Sequence, residues 1–401
     1  MTKKNIFDAT PSALGYIYQV RYALLLALKK ISEANDPDDC FISIEKLDDI
    51  AFEKNGDPFE LLQAKYHGAP GNLTDRSVDL WKTVRVWSEM ITNQDVVLEE
   101  ITFTLLTTES ASLGSIASNL GVEIETRNIQ TALIEMQRIS QESDNATNKK
   151  AYEAFSALED WQQKGLLNSI YVIGNSLHIT EVETMIKRQV RLSVSSSSID
   201  AFTSRLEGLW FKRVIEVMSS DVEDAISIGE LVHMIDDLRS QFLPGNLPSD
   251  FDDLDPEDID IENDERIFVE QLRLIGASNR VIRNAIINYY RAFEQRSRWS
   301  RENLVKPGEL KKYFNRLKDE WENQYSLVEM AYDLSQDQQK TALGVKLYTV
   351  CQGDRALPIR PEFKSAYVAR GSYHTLTDKN DIGWHPDYIK ILESVNEEDV
   401  A

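Results

Sequence analysis

The sequence is short of cysteine, of basic residues and of long apolar runs, and each shortage closes off a class of protein. Only two cysteines, Cys40 and Cys351, occur in 401 residues. They are too few and too far apart for a disulfide framework, which points to a reducing cytoplasm. The longest apolar stretch, around Tyr22 to Leu28, is too short and too amphipathic to span a bilayer, and no secretory leader is recognisable. A cytoplasmic chain with no membrane partner is expected. Lys and Arg number 44 against 66 Asp and Glu, a formal net charge of -22. Affinity for phosphates comes from clustered cations that release counterions, so this balance excludes tight, sequence-blind DNA binding by the chain alone. Any work on nucleic acid then needs a local basic groove, an assembled oligomer or a partner that holds the strand.

The most informative stretch that is present runs from Phe41 to His67. It predicts three short strands: Phe41 to Glu45; Asp49 to Glu53, with Ile50 and Phe52 on one face and Asp49, Ala51 and Glu53 on the other; and Phe59 to Lys65. Asn55-Gly56-Asp57-Pro58 is the turn, since Asn and Gly tolerate positive φ and Pro presets the chain entering the next strand. A period of two puts Gln63 and Lys65 on the same face, beside the strand that carries Asp49. A carboxylate, an amide oxygen and an ammonium converging on a hairpin suit phosphodiester cleavage. Asp49 and the Gln63 carbonyl, with Glu45 as a further ligand, can hold Mg²⁺ or Mn²⁺, which takes oxygen ligands and keeps several waters. The ion would activate a water and stabilise charge on phosphate, while Lys65 would help orient or deprotonate that water.

Glu45-x-x-Asp48-Asp49 followed by Gln63-x-Lys65 resembles the core of the restriction-endonuclease-like, or PD-(D/E)xK, superfamily. Within it the sequence looks like the nuclease domain of anti-phage effectors of the CBASS and Lamassu type and of related ABC-three-component systems. Gly15-Tyr16-Ile17-Tyr18-Gln19 on the first predicted helix resembles that group's Gly-x-x-Tyr-Gln signature. Gln295-Arg296-Ser297-Arg298-Trp299, Asp319-Glu320-Trp321, Gly371-Ser372-Tyr373-His374 and Gly383-Trp384-His385-Pro386 resemble the C-terminal domain of three-component effectors. Gln63 departs from the Glu of many superfamily members, so the site has one charge fewer. The resemblance implies a metal-dependent endonuclease acting on double-stranded DNA, restrained by an SMC-like ATPase and a small accessory subunit. Release and self-association into a homo-oligomer would activate it. It implies catalytic roles for Asp49, Gln63, Lys65 and Glu45, with Gln19, Asp48 and His67 as auxiliary residues. Asp49 is preferred to Asp48 because it begins the second strand. Two readings stand beside this one: a non-catalytic assembly or DNA-sensing subunit that keeps the fold, and an RNA-cutting nuclease, since the chemistry recognises phosphate rather than sugar.

The length accommodates two or three domains. The expected fold is α/β, a mixed sheet of restriction-endonuclease type flanked by helices, followed by a mainly α-helical C-terminal domain. Residues 1–125 are assigned to the nuclease core, 126–245 to a helical extension, 246–263 to an acidic linker and 264–401 to a helical assembly domain. Ser12 is expected to cap a first helix running to about Ser32 with Gln19 on or near its apolar stripe, and Leu80, Val84, Trp87 and Ile91 mark a second helix. Ile101 to Thr108 reads as a fourth strand, and Ile170 to Ile173 as a short one. Thr180-Glu181-Val182-Glu183 reads as a capping box and Ser198 as a further cap. The linker is expected to be solvated, because Asp252 onward carries no Lys or Arg before Arg266. Ser278 is expected to cap a helix with Ile282, Ala285, Ile286, Tyr289 and Phe293 on one face. Arg283, Arg291, Arg296, Arg298 and Arg301 on the other side offer an alternative DNA or partner surface. His374 and His385 have no cysteine pair nearby and are read as packing and hydrogen-bonding residues.

Overall fold

A computed structural model describes residues 9–220, 225–256, 258–353 and 356–390. The described chain orders as α1 (Thr10–Glu33), β1 (Cys40–Ile44), β2 (Ile50–Lys54), β3 (Asp57–Lys65), α2 (Val78–Asn93), β4 (Thr102–Thr107), α3 (Ile116–Asn119), α4 (Ile129–Glu142), α5 (Lys149–Ser156), α6 (Asp160–Ser169), β5 (Ile170–Ile173), α7 (Ile179–Gln189), α8 (Ile199–Met218), β6 (Ile226–Ser227) and α9 (Ile228–Gln241). Helices α10 (Ile267–Leu274), α11 (Asn279–Arg301), α12 (Glu309–Glu329), α13 (Asp337–Gln352) and α14 (Tyr367–Asp378) complete it. Two compact units divide the chain, one of Met1–Ser193 with Phe202–Asp237, the other of Val194–Ala201 with Leu238–Ala401.

The first unit is built on a six-stranded mixed sheet of order β5-β4-β3-β2-β1-β6. The β1–β2–β3 meander is antiparallel, whereas β3, β4 and β5 run parallel. Ala51, Leu61, Phe103 and Leu105 join Trp81, Trp87 and Phe155 in a core with α2 and the α4–α6 helices. Helix α1 packs on β1 and β3, and its Lys30 ammonium lies over the Phe52 ring. With helices on both faces, β2 buries Ile50, Ala51, Phe52 and Glu53 alike, so its alternation fixes the two faces without leaving one wet. Glu53 is stabilised there by the Ser43 hydroxyl at 2.7 Å.

The hairpin is tighter than the sequence suggests. Lys54 pairs with Asp57, leaving Asn55 and Gly56 as the whole turn, at φ 55° and 88°. Two positive φ values in succession define the turn that matches strand twist. Pro58 lies within β3, opposite Glu53 where the register shifts, a bulge that tolerates the missing N–H. Glu45 and Asp49 each fall just outside the strands assigned to them. Ser12 does not cap α1, whose N-cap is Ala9 with Pro11 in the first turn. At α7 the N-cap is His178, and it is Glu181 that accepts from the His178 N–H, at 2.7 Å.

Strands β5 and β6 lie beyond residue 125, so the mainly helical stretch 126–245 also contributes two strands to the same sheet. The segment 246–263 belongs to the second unit and is packed at its start, whereas Asp252, Asp253, Asp255, Asp258, Asp260 and Glu262 are exposed, as the charge run predicts. Leu247 is buried in that unit's core with Trp299 and Phe363, and Phe251, Ile259 and Ile261 pack against it. The Trp299 indole donates to the Pro248 carbonyl at 2.8 Å, while Gln295 accepts from the Asp250 N–H at 2.7 Å and donates to its carboxylate at 2.9 Å. The reading by charge missed the apolar residues spaced between the acids.

The same segment claims much of the arginine face of α11. Arg283 pairs with Asp255, Arg291 donates to the Leu254 carbonyl, and Arg298 pairs with Asp250. Arg296 is buried and donates to Ser372 and Thr375, so it belongs to no open DNA surface. Phe293, expected on the apolar face, is half exposed. Helices α11 and α14 cross so closely that a Cβ on Gly371 would lie 2.0 Å from the Asn288 carbonyl oxygen.

Candidate functional site

The hairpin brings the expected groups together. Asp49 ends the tight β1–β2 connection, in which Glu45 adopts φ 59° and its N–H donates to the Asp49 carbonyl at 3.2 Å. A non-glycine residue in the left-handed region is uncommon, and such residues gather where function constrains the backbone. Asp49 Oδ2 accepts from the Ala64 N–H at 2.8 Å and from Lys65 Nζ at 3.0 Å. Lys65 Nζ also donates to Gln63 Oε1 at 2.5 Å. The ammonium therefore bridges the carboxylate and the amide oxygen.

Asp48 does something different. It is buried, and its carboxylate accepts from the Trp87 indole N–H at 2.8 Å, from the Asp49 N–H at 2.9 Å and from Gln63 Nε2. Burial outweighs these three donors and pushes its carboxyl pKa up to about 6. Its auxiliary role is thus to hold the loop and the Gln63 amide, not to offer a ligand. This arrangement also accounts for the departure at Gln63. A glutamate there would set a second carboxylate against buried Asp48, whereas an amide donates to Asp48 through one atom and accepts from Lys65 through the other.

A cleft of about 390 Å³ opens on this centre. Asp49, Lys65, Glu45, Gln19 and His67 line it, while Gln63 and Asp48 do not. Of the residues singled out in the sequence, five reach one opening and two act from beneath it through hydrogen bonds. Gln19 is buried on α1 and hydrogen-bonds the Glu45 carboxyl, yet its Oε1 has no partner. Burial, followed by the nearby Asp49 carboxylate, raises the Glu45 pKa against the pull of Gln19 and Lys65.

These residues fit a hard divalent ion. Asp49 and Glu45 supply carboxylate oxygens whose mutual repulsion a dication would relieve, and the orphaned Gln19 Oε1 is a further oxygen in the same cleft. Gln63 Oε1 can join them only when Lys65 releases it.

Asp79, which lines the cleft, and Glu109, beside it, were missed by the sequence reading. His67 Nε2 lies 2.7 Å from Asp79 Oδ2, in the first turn of α2, so this histidine is paired with a carboxylate. Glu109, just past β4, brings a second carboxylate to the same point, and the ligand atoms of His67, Asp79 and Glu109 lie within 4.8 Å of one another. The signal available was topological: both acids follow the carboxyl ends of β3 and β4, where parallel strands place ligands.

Among known families, residues 268–392 match the model of C-terminal domain 7 of the ABC-three component (ABC-3C) systems. The match indicates a component of an ABC-three-component anti-phage defence system, and such systems are assembled from several subunits. No curated protein matches the chain. Within the matched region the motif residues are structural: Gln295, Trp299, Tyr373, His374 and Trp384 are all buried, and Trp321 donates to the Gly383 carbonyl at 3.1 Å. Among the described residues no helix is long and apolar enough to cross a membrane.

Proposed function

We propose that the chain is the metal-dependent DNA endonuclease of a three-component defence complex, with a restriction-endonuclease-like core in its first unit. The observation that carries this reading is the convergence of Asp49, Gln63 and Lys65, with Lys65 Nζ 3.0 Å from one oxygen and 2.5 Å from the other at the edge of an open cleft. Asp49 and Glu45 would hold Mg²⁺ or Mn²⁺, with Gln63 Oε1 available after Lys65 swings away. The ion would supply charge neutralisation at the scissile phosphate and a more acidic water. Lys65, freed from Gln63, would place its N–H donors on the phosphate or on the attacking water and fix their orientation. Asp48 holds the loop that carries Asp49, and Gln19 fixes the Glu45 carboxyl.

The net charge of -22 supports control by partners, since the chain alone lacks the cationic excess that gathers DNA. An SMC-like ATPase and an accessory subunit would supply the strand, and self-association would complete the active form.

Lys65→Ala in the assembled complex should lose plasmid cleavage in Mg²⁺ or Mn²⁺, a loss on the order of 10³-fold, with circular dichroism unchanged. Undiminished cutting by that variant removes the assignment. A scaffold reading is favoured by one feature, the closed set in which Lys65 occupies both oxygens. No metal-dependent nicking of DNA or RNA in any assembly state would decide for it, and competition between the two nucleic acids separates the DNA from the RNA reading.

A further inference from the structure

His67 and Asp79, which line the cleft, and Glu109 beside them form a second set of donors that the proposed reaction does not use. His67 leaves the end of β3, Asp79 sits in the first turn of α2 and Glu109 follows β4. Their positions are fixed by backbone bonds rather than by chance proximity. The His67 N–H donates to Thr108 Oγ1 at 2.8 Å, the Thr108 hydroxyl returns a bond to the His67 carbonyl at 3.1 Å, and the Asn175 N–H holds the Glu109 carbonyl at 2.8 Å.

An imidazole hydrogen-bonded to one carboxylate is an ordinary surface pair. Glu109 exceeds that description, because it adds a second carboxylate to the same point. Among the described residues no Lys or Arg pairs with any of the three side chains.

We propose that His67, Asp79 and Glu109 form a site for a transition-metal dication such as Mn²⁺, Co²⁺ or Zn²⁺, distinct from the all-oxygen centre at Asp49. One nitrogen and two carboxylates favour these ions over Mg²⁺ and Ca²⁺, which prefer oxygen alone. Donors around one such ion, at bonds of about 2.1 Å, stand roughly 3–3.5 Å apart. The three ligand atoms now lie within 4.8 Å of one another, so binding an ion would draw them together. The site stands independently of the nuclease reading, since it concerns binding without substrate.

The test is a Co²⁺ titration of the chelator-stripped full chain, followed by visible absorption, with Zn²⁺ competition measured by calorimetry. The wild type and Asp49→Asn should each bind one Co²⁺ with micromolar affinity, displaced by Zn²⁺ but not by excess Mg²⁺. His67→Ala and the near-isosteric Glu109→Gln should each weaken that binding at least tenfold, with unchanged circular dichroism. Absence of micromolar Co²⁺ binding overturns the proposal. So does binding that survives both substitutions, and binding lost in Asp49→Asn but kept in His67→Ala would assign the ion to the Asp49 centre, leaving the nuclease reading intact.

Discussion

In the sheet-bearing unit the buried carboxylate of Asp48 accepts three hydrogen bonds, whereas in the helical unit the fully buried His374 ring has both nitrogens unpartnered, between the rings of Phe268 and Tyr348. The difference tracks what each unit does with its polar atoms. In the first, the chain of bonds runs from the Trp87 indole through Asp48 and Gln63 to Lys65 and Asp49 and ends at an opening. A shift anywhere along it moves groups at the cleft. In the second, Arg296 donates to Ser372 and Thr375 beneath the Phe314 ring, and burial lowers its pKa to about 10. Those bonds tie α11 to α14.

The largest effect that would sharpen this comparison is expected from Gln63→Glu. The new carboxylate would lose the donation to Asp48 and face a buried anion, a cost of about 3 kcal/mol or more at neutral pH. The sign of its pH dependence follows from Asp48. A carboxyl raised to about 6 in the folded chain binds its proton more tightly there than when unfolded, so stability rises as pH falls through that value. Urea denaturation should show the variant recovering toward the wild type between pH 8 and 5. A constant gap would mean that charge repulsion from Asp48 is not what favours the amide at position 63.

Next in size is Leu247→Ala. Its side chain sits in the core of the second unit, and removing it should cost on the order of 3 kcal/mol. Were residues 246–263 a solvated linker, the substitution would be nearly silent. Thermal unfolding separates the two outcomes.

How far the sequence revealed this molecule depends on how local each determinant is. Asn55-Gly56 and the period of two that brings Gln63 and Lys65 together are local; the turn lies where expected, though Asp57 and Pro58 belong to β3. The convergence on Asp49 followed from that register. The Asp48–Gln63–Trp87 network was not legible, because Trp87 lies on a helix whose placement over the hairpin is set by the core around Phe103. Glu109 escaped for the same reason, as the parallel pairing of β3 with β4 is a long-range fact. The start of the segment assigned as linker was misread because its neighbouring charge hid Leu247 and Phe251, which pack in a core with Trp299 and Tyr367 far along the chain.

The smallest predicted effect concerns His374. Complete burial, with no partner for either nitrogen, lowers its pKa to about 3. The unfolded chain, with an ordinary imidazole near 6.5, therefore binds a proton that the folded chain refuses. Stability from this residue is fully present above the unfolded value and declines as pH falls below it. At pH 5 the loss is about 2 kcal/mol. His374→Phe keeps the ring between Phe268 and Tyr348 and discards both unpaired nitrogens. It should match or slightly exceed the wild type at pH 8, and its advantage should widen steadily toward pH 5. The two units then respond to acid in opposite senses, Asp48 gaining and His374 losing. A His374→Phe advantage that does not change with pH would mean that the ring finds a partner in solution, and the contrast between the units would lose its helical half.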